Sequence, residues 1–230
     1  MPSSPTTSSR RLATMLSLLA LSGFCVAMVA VRVVYTGSTD YANLVWNLVL
    51  AWIPFVVALL VYDAYRRAAP RGLVLAGGAL WLLFFPNAPY LVTDLGLLQG
   101  RSGAPLWFDV VLVSTAAWAG LALGFVSLYL VQAVARRALG ALNAWVLVLG
   151  VLTLSSFGIY LGRFQRWNSW DVVAQPHGLL ADVWSRVADP LAYPRTMAVT
   201  VLFTAFLTLT YLVFYSFARL ALGEPGEQRR

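Results

Sequence analysis

Residues 73–92 read LVLAGGALWLLFFPNAPYLV, and this stretch decides the fold. It contains no charged residue, and a bilayer core about 30 Å thick needs roughly 20 apolar residues in a helix. Because unpaired backbone groups are costly in lipid, the stretch is predicted to be a transmembrane helix. Pro86 and Pro89 stand near its end and remove two amide donors. The sequence therefore predicts a spanning helix that is interrupted near its end.

Five further runs of similar length carry no charged residue, namely 12–31, 44–62, 110–131, 142–161 and 197–217. The chain of 230 residues is 60% hydrophobic and only 11% charged, whereas a soluble domain carries about 25% charged residues. This composition excludes an ordinary soluble enzyme, a disordered chain and a disulfide scaffold. The predicted fold class is all-α, a polytopic membrane helix bundle with about six transmembrane helices.

The charge distribution predicts how the chain is threaded. The formal net charge is +7, which in a soluble protein would suggest a nucleic-acid partner. Ten of the sixteen arginines and three acidic residues fall on the side that holds both termini, while the other side holds six arginines and six aspartates. Arginine excess marks the cytoplasmic side of a membrane protein. Both termini are therefore predicted to be cytoplasmic, and no nucleic acid is expected to bind.

The chain shows no internal domain boundary. Residues 1–11 are predicted to be a disordered cytoplasmic N-terminus, 12–217 the six-helix transmembrane domain, and 218–230 a cytoplasmic C-terminal tail. The run 12–31 is longer than the usual signal-peptide core of about 7–15 residues, so we interpret it as a retained anchor; cleavage near Ala30 would leave five spans. The outer loop 162–196 is predicted to contain a short helix around 179–187.

The first unusual polar cluster ends the third run and includes Asn87, Tyr90 and Asp94. Counting 1.5 Å per residue places Pro86–Pro89 in the outer leaflet and Asp94 at the outer interface. Non-helical backbone at that depth must be buried in protein or line a wet cavity. One interpretation is a kinked helix end, in which Asn87 caps the freed backbone groups and Thr93 or Asp94 begins a short surface helix. The other is a broken helix that shapes a site.

The second cluster ends the fifth run at the same predicted depth and consists of Arg163, Arg166, Asn168 and Asp171, with tryptophans between them. An aromatic belt with snorkelling arginines would explain the tryptophans but explains Asn168 and Asp171 less well. Asp109 begins the fourth run on the same side. Asp94, Asp109 and Asp171 are therefore expected to meet Arg163 and Arg166. They would form either a structural ion-pair network or a site in which arginine holds an anionic group.

The binding interpretation assigns roles to these residues. The candidate substrate-binding residues are Asn87, Tyr90, Asp94, Asp109, Arg163, Arg166, Asn168 and Asp171. Asp94 and Asp171 are also the candidate catalytic groups, as base or ion ligand. His177 and Cys25 are the only histidine and cysteine, so no metal site is predicted; a lone loop histidine is more often incidental than catalytic. No cofactor motif is present in the sequence.

Two other patterns are interpreted as structural. Ala116, Gly120 and Gly124 form a stripe of small residues that lets helices approach closely. Threonines recur every four residues in the sixth run, at Thr200, Thr204 and Thr208. Their hydroxyls are expected to bond their own helix or a neighbour rather than to conduct a solute.

The motifs together resemble the bacterial membrane family labelled domain of unknown function 1361. The resemblance rests on Phe85–Tyr90 with Thr93–Leu95, on Phe108-Asp109, on Gly124 with Ser127–Tyr129, and on Gly162–Phe164 with Arg166–Asp171. It covers roughly residues 40–220. One departure is Leu97-Leu98, where a histidine is expected in many relatives, so a mechanism that depends on that histidine is in doubt. The resemblance implies a multi-pass protein of the bacterial cytoplasmic (inner) membrane and supplies no reaction.

Three functional hypotheses remain open on the sequence. The first is an outward-facing polar pocket that binds or processes an anionic or lipid-linked substrate. The second is a small transporter with a broken third helix, which a water-filled path across the bilayer would favour. The third is an accessory structural subunit without its own chemistry. Membrane lipids are the expected surroundings in all three, and protein partners are not predicted.

Overall fold

A computed structural model describes residues 7–98 and 103–222 of the chain. The described part contains helices and no strand. The α-helices are α1 (Thr7–Thr36), α2 (Ala42–Arg66), α3 (Arg71–Phe84), α4 (Asn87–Tyr90), α5 (Leu106–Leu139), α6 (Ala141–Phe164), α7 (Asp171–Ala174), α8 (Pro176–Ala188) and α9 (Pro194–Leu222). Short 3₁₀ helices occupy Leu91–Leu97 and Pro190–Ala192.

The predicted fold class is confirmed. Six helical segments are long and apolar enough to cross a membrane, and they correspond to the six predicted runs. The helix bounds are wider than the apolar runs: α5 covers 34 residues, and α1 begins at Thr7, inside the segment predicted to be disordered. The predicted C-terminal tail overlaps the end of α9, while residues 1–6 and 223–230 lie outside the described residues.

Helix α5 is the centre of the bundle and contacts α1, α2, α4, α6 and α9. Its small-residue stripe is buried and faces the segment that follows α3. A Cβ atom at Gly120 would clash with the carbonyl oxygen of Ala88, and one at Gly124 would lie 3.2 Å from the Ala88 Cβ. The interpretation of the stripe as a close-packing surface is therefore confirmed.

The predicted break in the third span is confirmed, and it lies inside the protein. Helix α3 ends at Phe84, the short α4 follows Pro86, and Ala88 and Pro89 are buried against α5. This burial meets the requirement that irregular backbone at membrane depth be shielded from lipid. The interpretation in which Thr93 or Asp94 begins a surface helix is wrong: Asp94 lies within the 3₁₀ helix Leu91–Leu97 and has no exposed surface.

Helix α6 approaches the other side of the break through two glycines four residues apart. A Cβ atom at Gly158 would lie 3.2 Å from the ring of Pro86, and one at Gly162 would lie 3.2 Å from the ring of Tyr90. The broken segment is thus held between α5 and α6. The spacing Gly-x-x-x-Gly is the sequence signal that could have predicted this contact.

The expectation for the threonines of the sixth run is wrong. The side-chain oxygens of Thr200, Thr204 and Thr208 are buried and have no hydrogen-bond partner among the described residues. Thr210 on the same helix behaves in the ordinary way and donates to the carbonyl of Phe206 at 2.7 Å.

Candidate functional site

A cavity of about 630 Å³ lies beside the broken helix, between α2, α3, α4 and α6. Helix α8 covers it through Leu179, Val183 and Val187, which recur every four residues and so share one face of that helix. The predicted short helix around 179–187 is confirmed and is longer, Pro176–Ala188. The connection between α6 and α9 is therefore part of the cavity wall and not a free loop.

The two ends of the cavity differ in polarity. Gly162 and Thr153 both line it and lie nine residues apart on α6, so it extends about 13 Å along that helix. Polar side chains gather at the Gly162 end, namely Asn47, Asn87, Tyr90, Asn168 and Ser169. Away from that end the walls are mainly apolar, with Leu50, Leu82, Leu83, Leu154 and Phe157. Such a shape suits a molecule with one polar and one apolar part.

Asn87 holds the break together and also faces the cavity. Its side-chain amide donates to the carbonyl oxygen of Phe84 at 2.9 Å and to the hydroxyl oxygen of Ser169 at 2.9 Å. The first bond satisfies a carbonyl that the broken helix frees, because the amide of Ala88 donates to Phe85 instead. Asn87 therefore fits both interpretations made from the sequence, because it caps the interrupted helix end and also lines a cavity.

The predicted meeting of Asp94 and Arg163 is observed. A guanidinium nitrogen of Arg163 donates to the carboxylate of Asp94 at 2.9 Å, and Asn47 donates to its other oxygen at 3.2 Å. The Asp94 side chain is fully buried, whereas the Arg163 side chain keeps 21% of its surface exposed. Neither residue lines the cavity, but Asn47 and Gly162 do. The ion pair therefore lies next to the polar end of the cavity but outside its lining, and Asn47 and Gly162 connect it to that lining.

The expected convergence of three aspartates on two arginines is wrong. Asp109 pairs with Arg32 of α1, with bonds of 2.7 and 3.2 Å between the guanidinium and the carboxylate. Asp171 accepts the backbone amide of Asn168 at 2.7 Å and so holds the turn before α7. Arg166 is exposed in a left-handed conformation with φ of 62°. Only one of the expected ion pairs forms.

The backbone after α6 explains why these residues separate. The amides of Gln165 and Trp167 both donate to the carbonyl of Leu161, at 3.1 and 3.2 Å, which ends the helix. Residues after Phe164 therefore leave the helical face on which Arg163 lies. Asn168 and Ser169 reach the cavity instead.

The cover of the cavity is fixed by its own polar contacts. The indole nitrogen of Trp167 donates to Asp182 at 2.8 Å, and Arg186 pairs with the same carboxylate. Burial lowers the pKa of Arg186, but its hydrogen bonds to Asp182 and Tyr160 outweigh burial and raise that pKa above its ordinary value. Arg186 is therefore cationic at every physiological pH. His177 is exposed at the start of α8 and does not line the cavity.

Sequence reasoning missed three residues of this region. Asn47 is an amide inside an apolar run, which is itself a signal of a polar contact within the membrane. Ser169 stood within the second cluster but was not chosen as a candidate. Arg32 follows the first run directly and falls on the same predicted side of the membrane as Arg163, so the sequence offered both arginines equally as partners for Asp109.

A family model described as "Protein of unknown function (DUF1361)" matches residues 46–210. The chain belongs to the DUF1361 family. Every residue that lines the cavity lies within the DUF1361 segment, whereas Arg32 and the rest of α1 lie before it. The resemblance predicted from the sequence motifs is thereby confirmed. No curated protein and no solved structure matches the chain.

Proposed function

We propose that this DUF1361 protein binds a lipid-linked molecule, with the apolar chain in the cavity and the polar head group at its Asn87 end. The observation that supports the proposal is the division of one cavity into a polar end and an apolar remainder. Ligand sites are in general mostly apolar concave surfaces with a few convergent polar groups.

The apolar part of the cavity suits a hydrocarbon chain. It is bounded by Leu154 and Trp46, which are each 56% exposed and face outward from the bundle. In a membrane these side chains lie against lipid. A chain would enter sideways from the bilayer without crossing water, and burial of each methylene contributes about 0.8 kcal/mol relative to water.

The polar end suits a head group rich in hydrogen-bonding oxygens, such as a phosphate ester. Asn168 and Ser169 carry donor groups at the cavity surface. Asn87 uses its amide nitrogen on Phe84 and Ser169, so its side-chain oxygen can accept a hydrogen bond from a hydroxyl of the head group but cannot bind the phosphate oxygens. Arg163 adds positive charge behind this surface, although Asp94 neutralises most of it.

We propose that the region around Asp94 and Asp171, the two candidate catalytic residues, binds a molecule and does not carry out a reaction on it. Asp94 is enclosed by Asn47 and Arg163 and does not reach the cavity surface. Asp171 is occupied by the amide of Asn168. We further propose that both termini are cytoplasmic and that the polar end of the cavity lies at the outer face of a bacterial inner membrane, in agreement with the arginine distribution.

The test is to identify lipids that remain bound after purification. The wild type and Leu154→Trp would be purified in mild detergent from the same membranes, and their bound lipids would be measured by native mass spectrometry. The added indole narrows the sideways opening that Leu154 borders, so we expect loss of a discrete lipid adduct. Leu149→Trp is the matched control, because Leu149 is 46% exposed on the same helix but does not line the cavity.

Two results would contradict the proposal. One is a wild-type protein without a discrete adduct above the bulk membrane lipids. The other is an adduct that Leu154→Trp retains as fully as Leu149→Trp does. Ser169→Ala then tests the head-group end: it removes a hydroxyl donor from the cavity surface, so a phosphate-containing adduct should weaken.

A further inference from the structure

Two neighbouring arginines stand near the end of α5, and this end lies opposite the polar end of the cavity, because only Gly140 separates α5 from the start of α6. Arg136 and Arg137 are exposed, and neither pairs with a carboxylate among the described residues. Arg136 donates instead to the hydroxyl oxygen of Tyr215 on α9. Arginines at the ends of spanning helices commonly anchor them at the membrane surface. These two also border a concave surface, which anchoring alone does not require.

A second cavity, of about 370 Å³, lies between these arginines. The described residues that line it are Ala133, Arg136 and Arg137. Ala133 comes three and four residues before the arginines, so the three side chains share one face of α5. The single methyl group of Ala133 leaves room between the two longer side chains. A phosphate group in this space would meet a guanidinium group on each side, and guanidinium groups bind phosphate oxygens through paired hydrogen bonds.

The charges around the second cavity also favour an anion. The guanidinium of Arg219 on α9 lies 5.9 Å from the ring centroid of Tyr215, the residue whose hydroxyl accepts from Arg136. Three cationic side chains therefore gather here. The acidic residue that the structure describes at this end of the bundle is Asp63, and its carboxylate pairs with Arg11 at 3.0 Å.

One face of α5 is open to lipid between the second cavity and the middle of the bundle. Trp118 is 65% exposed, and Ala122, Val126, Tyr129 and Ala133 are partly exposed. These residues recur every three or four positions and so share the face on which the cavity lies. From Ala133 back to Ala122 the helix rises about 17 Å, close to one leaflet of a hydrocarbon core about 30 Å thick. The length of this face therefore suits an acyl chain that begins at the second cavity.

We propose that Arg136 and Arg137 bind the phosphate of an anionic phospholipid, whose acyl chain lies along the α5 face from Ala133 to Ala122. The lipid occupies the leaflet at the Arg136 end of the bundle. It is distinct from the molecule proposed for the cavity beside α4, and neither site depends on the other. Free phosphate shares the chemistry of the head group but makes no contact with the apolar face, which favours the lipid as the source.

The test measures lipid binding to the full-length protein in mild detergent by native mass spectrometry. The probes are dioleoylphosphatidylglycerol and dioleoylphosphatidylcholine, which have the same chains and differ in net charge, and the wild type should prefer the first. Arg137→Gln should weaken phosphatidylglycerol binding about tenfold, as expected for one charge-assisted hydrogen bond. Arg71→Gln is the matched control: Arg71 is exposed on α3 at the same end but does not line the second cavity, so the binding should not change.

Ala133→Leu tests the shape of the site without changing its charge. The larger side chain fills the space between the arginines, so phosphatidylglycerol should bind more weakly than to the wild type. A large excess of inorganic phosphate should leave the lipid bound, and Leu154→Trp, which alters the cavity beside α4, should bind phosphatidylglycerol as the wild type does.

Each opposite result overturns the proposal. Equal binding of the two lipids by the wild type would show that no anion is selected. Equal losses in Arg71→Gln and Arg137→Gln would show a general charge effect, and full binding by Ala133→Leu would show that the second cavity is not the site. Displacement by inorganic phosphate would identify the free anion as the ligand. Loss of binding in Leu154→Trp would place the lipid in the cavity beside α4.

Discussion

The carboxylate of Asp94 lies 2.9 Å from the guanidinium of Arg163, and the pair joins the end of the broken third span to the end of α6. The Asp94 side chain has no exposed surface, so its charge depends on this partner and on Asn47. A buried charge that loses its partner is left uncompensated, which destabilises a protein more than the pair itself stabilises it.

Breaking this ion pair should destabilise the fold. We expect Arg163→Ala to lower the free energy of unfolding by about 3 kcal/mol, measured by denaturation in detergent micelles. The double variant Asp94→Asn with Arg163→Gln should be more stable than Arg163→Ala, because no buried charge remains. Arg137→Ala changes an exposed arginine and serves as control. Equal stability of Arg163→Ala and Arg137→Ala would show that the pair contributes nothing.

Removing the side-chain amide of Asn87 should destabilise the interrupted segment between α3 and α4. In Asn87→Ala the carbonyl of Phe84 loses its donor, and an unsatisfied group of this kind costs about 1–3 kcal/mol. Asn143 offers a close comparison, since its amide donates to the carbonyl of Leu139 at 2.9 Å in an exposed position. There water replaces the lost donor, and Asn143→Ala should change the unfolding free energy by less than about 0.5 kcal/mol. Similar losses in both variants would contradict this account.

A methyl group at Gly120 should be poorly tolerated. It would collide with the backbone oxygen of Ala88 and with the Leu91 side chain, and overpacking of this kind typically costs about 1–3 kcal/mol. We expect Gly120→Ala to lower the melting temperature and the yield of monodisperse protein. Gly150→Ala meets nothing within 4 Å and should leave both unchanged. A Gly120→Ala protein as stable as Gly150→Ala would mean that α4 does not pack as described.

The proposed threading is testable by labelling cysteines in whole cells. The native Cys25 is buried and should not react with a membrane-impermeant maleimide. Val173→Cys, at a side chain that is 83% exposed, should react from outside the cell. Ala138→Cys is also exposed but should react only after the membrane is permeabilised. The reverse pattern would invert the orientation.

Features carried by single residues could be predicted from the sequence. Pro86 and Pro89 cannot donate to a helix, so the position of the break was readable, and apolar length alone predicted the six spans. The burial of Asp94 could not be predicted, because counting 1.5 Å per residue gives a depth along the helix and says nothing about which neighbours enclose a side chain. Asn47 of α2 and Arg163 of α6 enclose this one.

The sequence could not predict which of several similar residues pair with each other in the fold. Arg32, Arg163 and Arg166 all fall on the same predicted side of the membrane, and a sequence without coordinates does not say which of them Asp109 meets. Burial of the threonine hydroxyls depends on the rotation of α9 about its axis, and α6 determines that rotation. Local spacing shows that Thr200, Thr204 and Thr208 share a face but not what that face meets.

The bond between Arg32 and Asp109 also constrains how the protein is made. Arg32 is synthesised 77 residues before its partner, and at about 5–20 residues per second the ribosome needs roughly 4–15 s to reach Asp109. During that interval the only acidic partner of Arg32 in the described structure that has already been made is Asp40, 4.0 Å away in the finished fold, and headgroups and water complete the solvation of its charge. The close contact of α1 with α5 is therefore one of the later steps in assembly, formed after the second and third spans have been made.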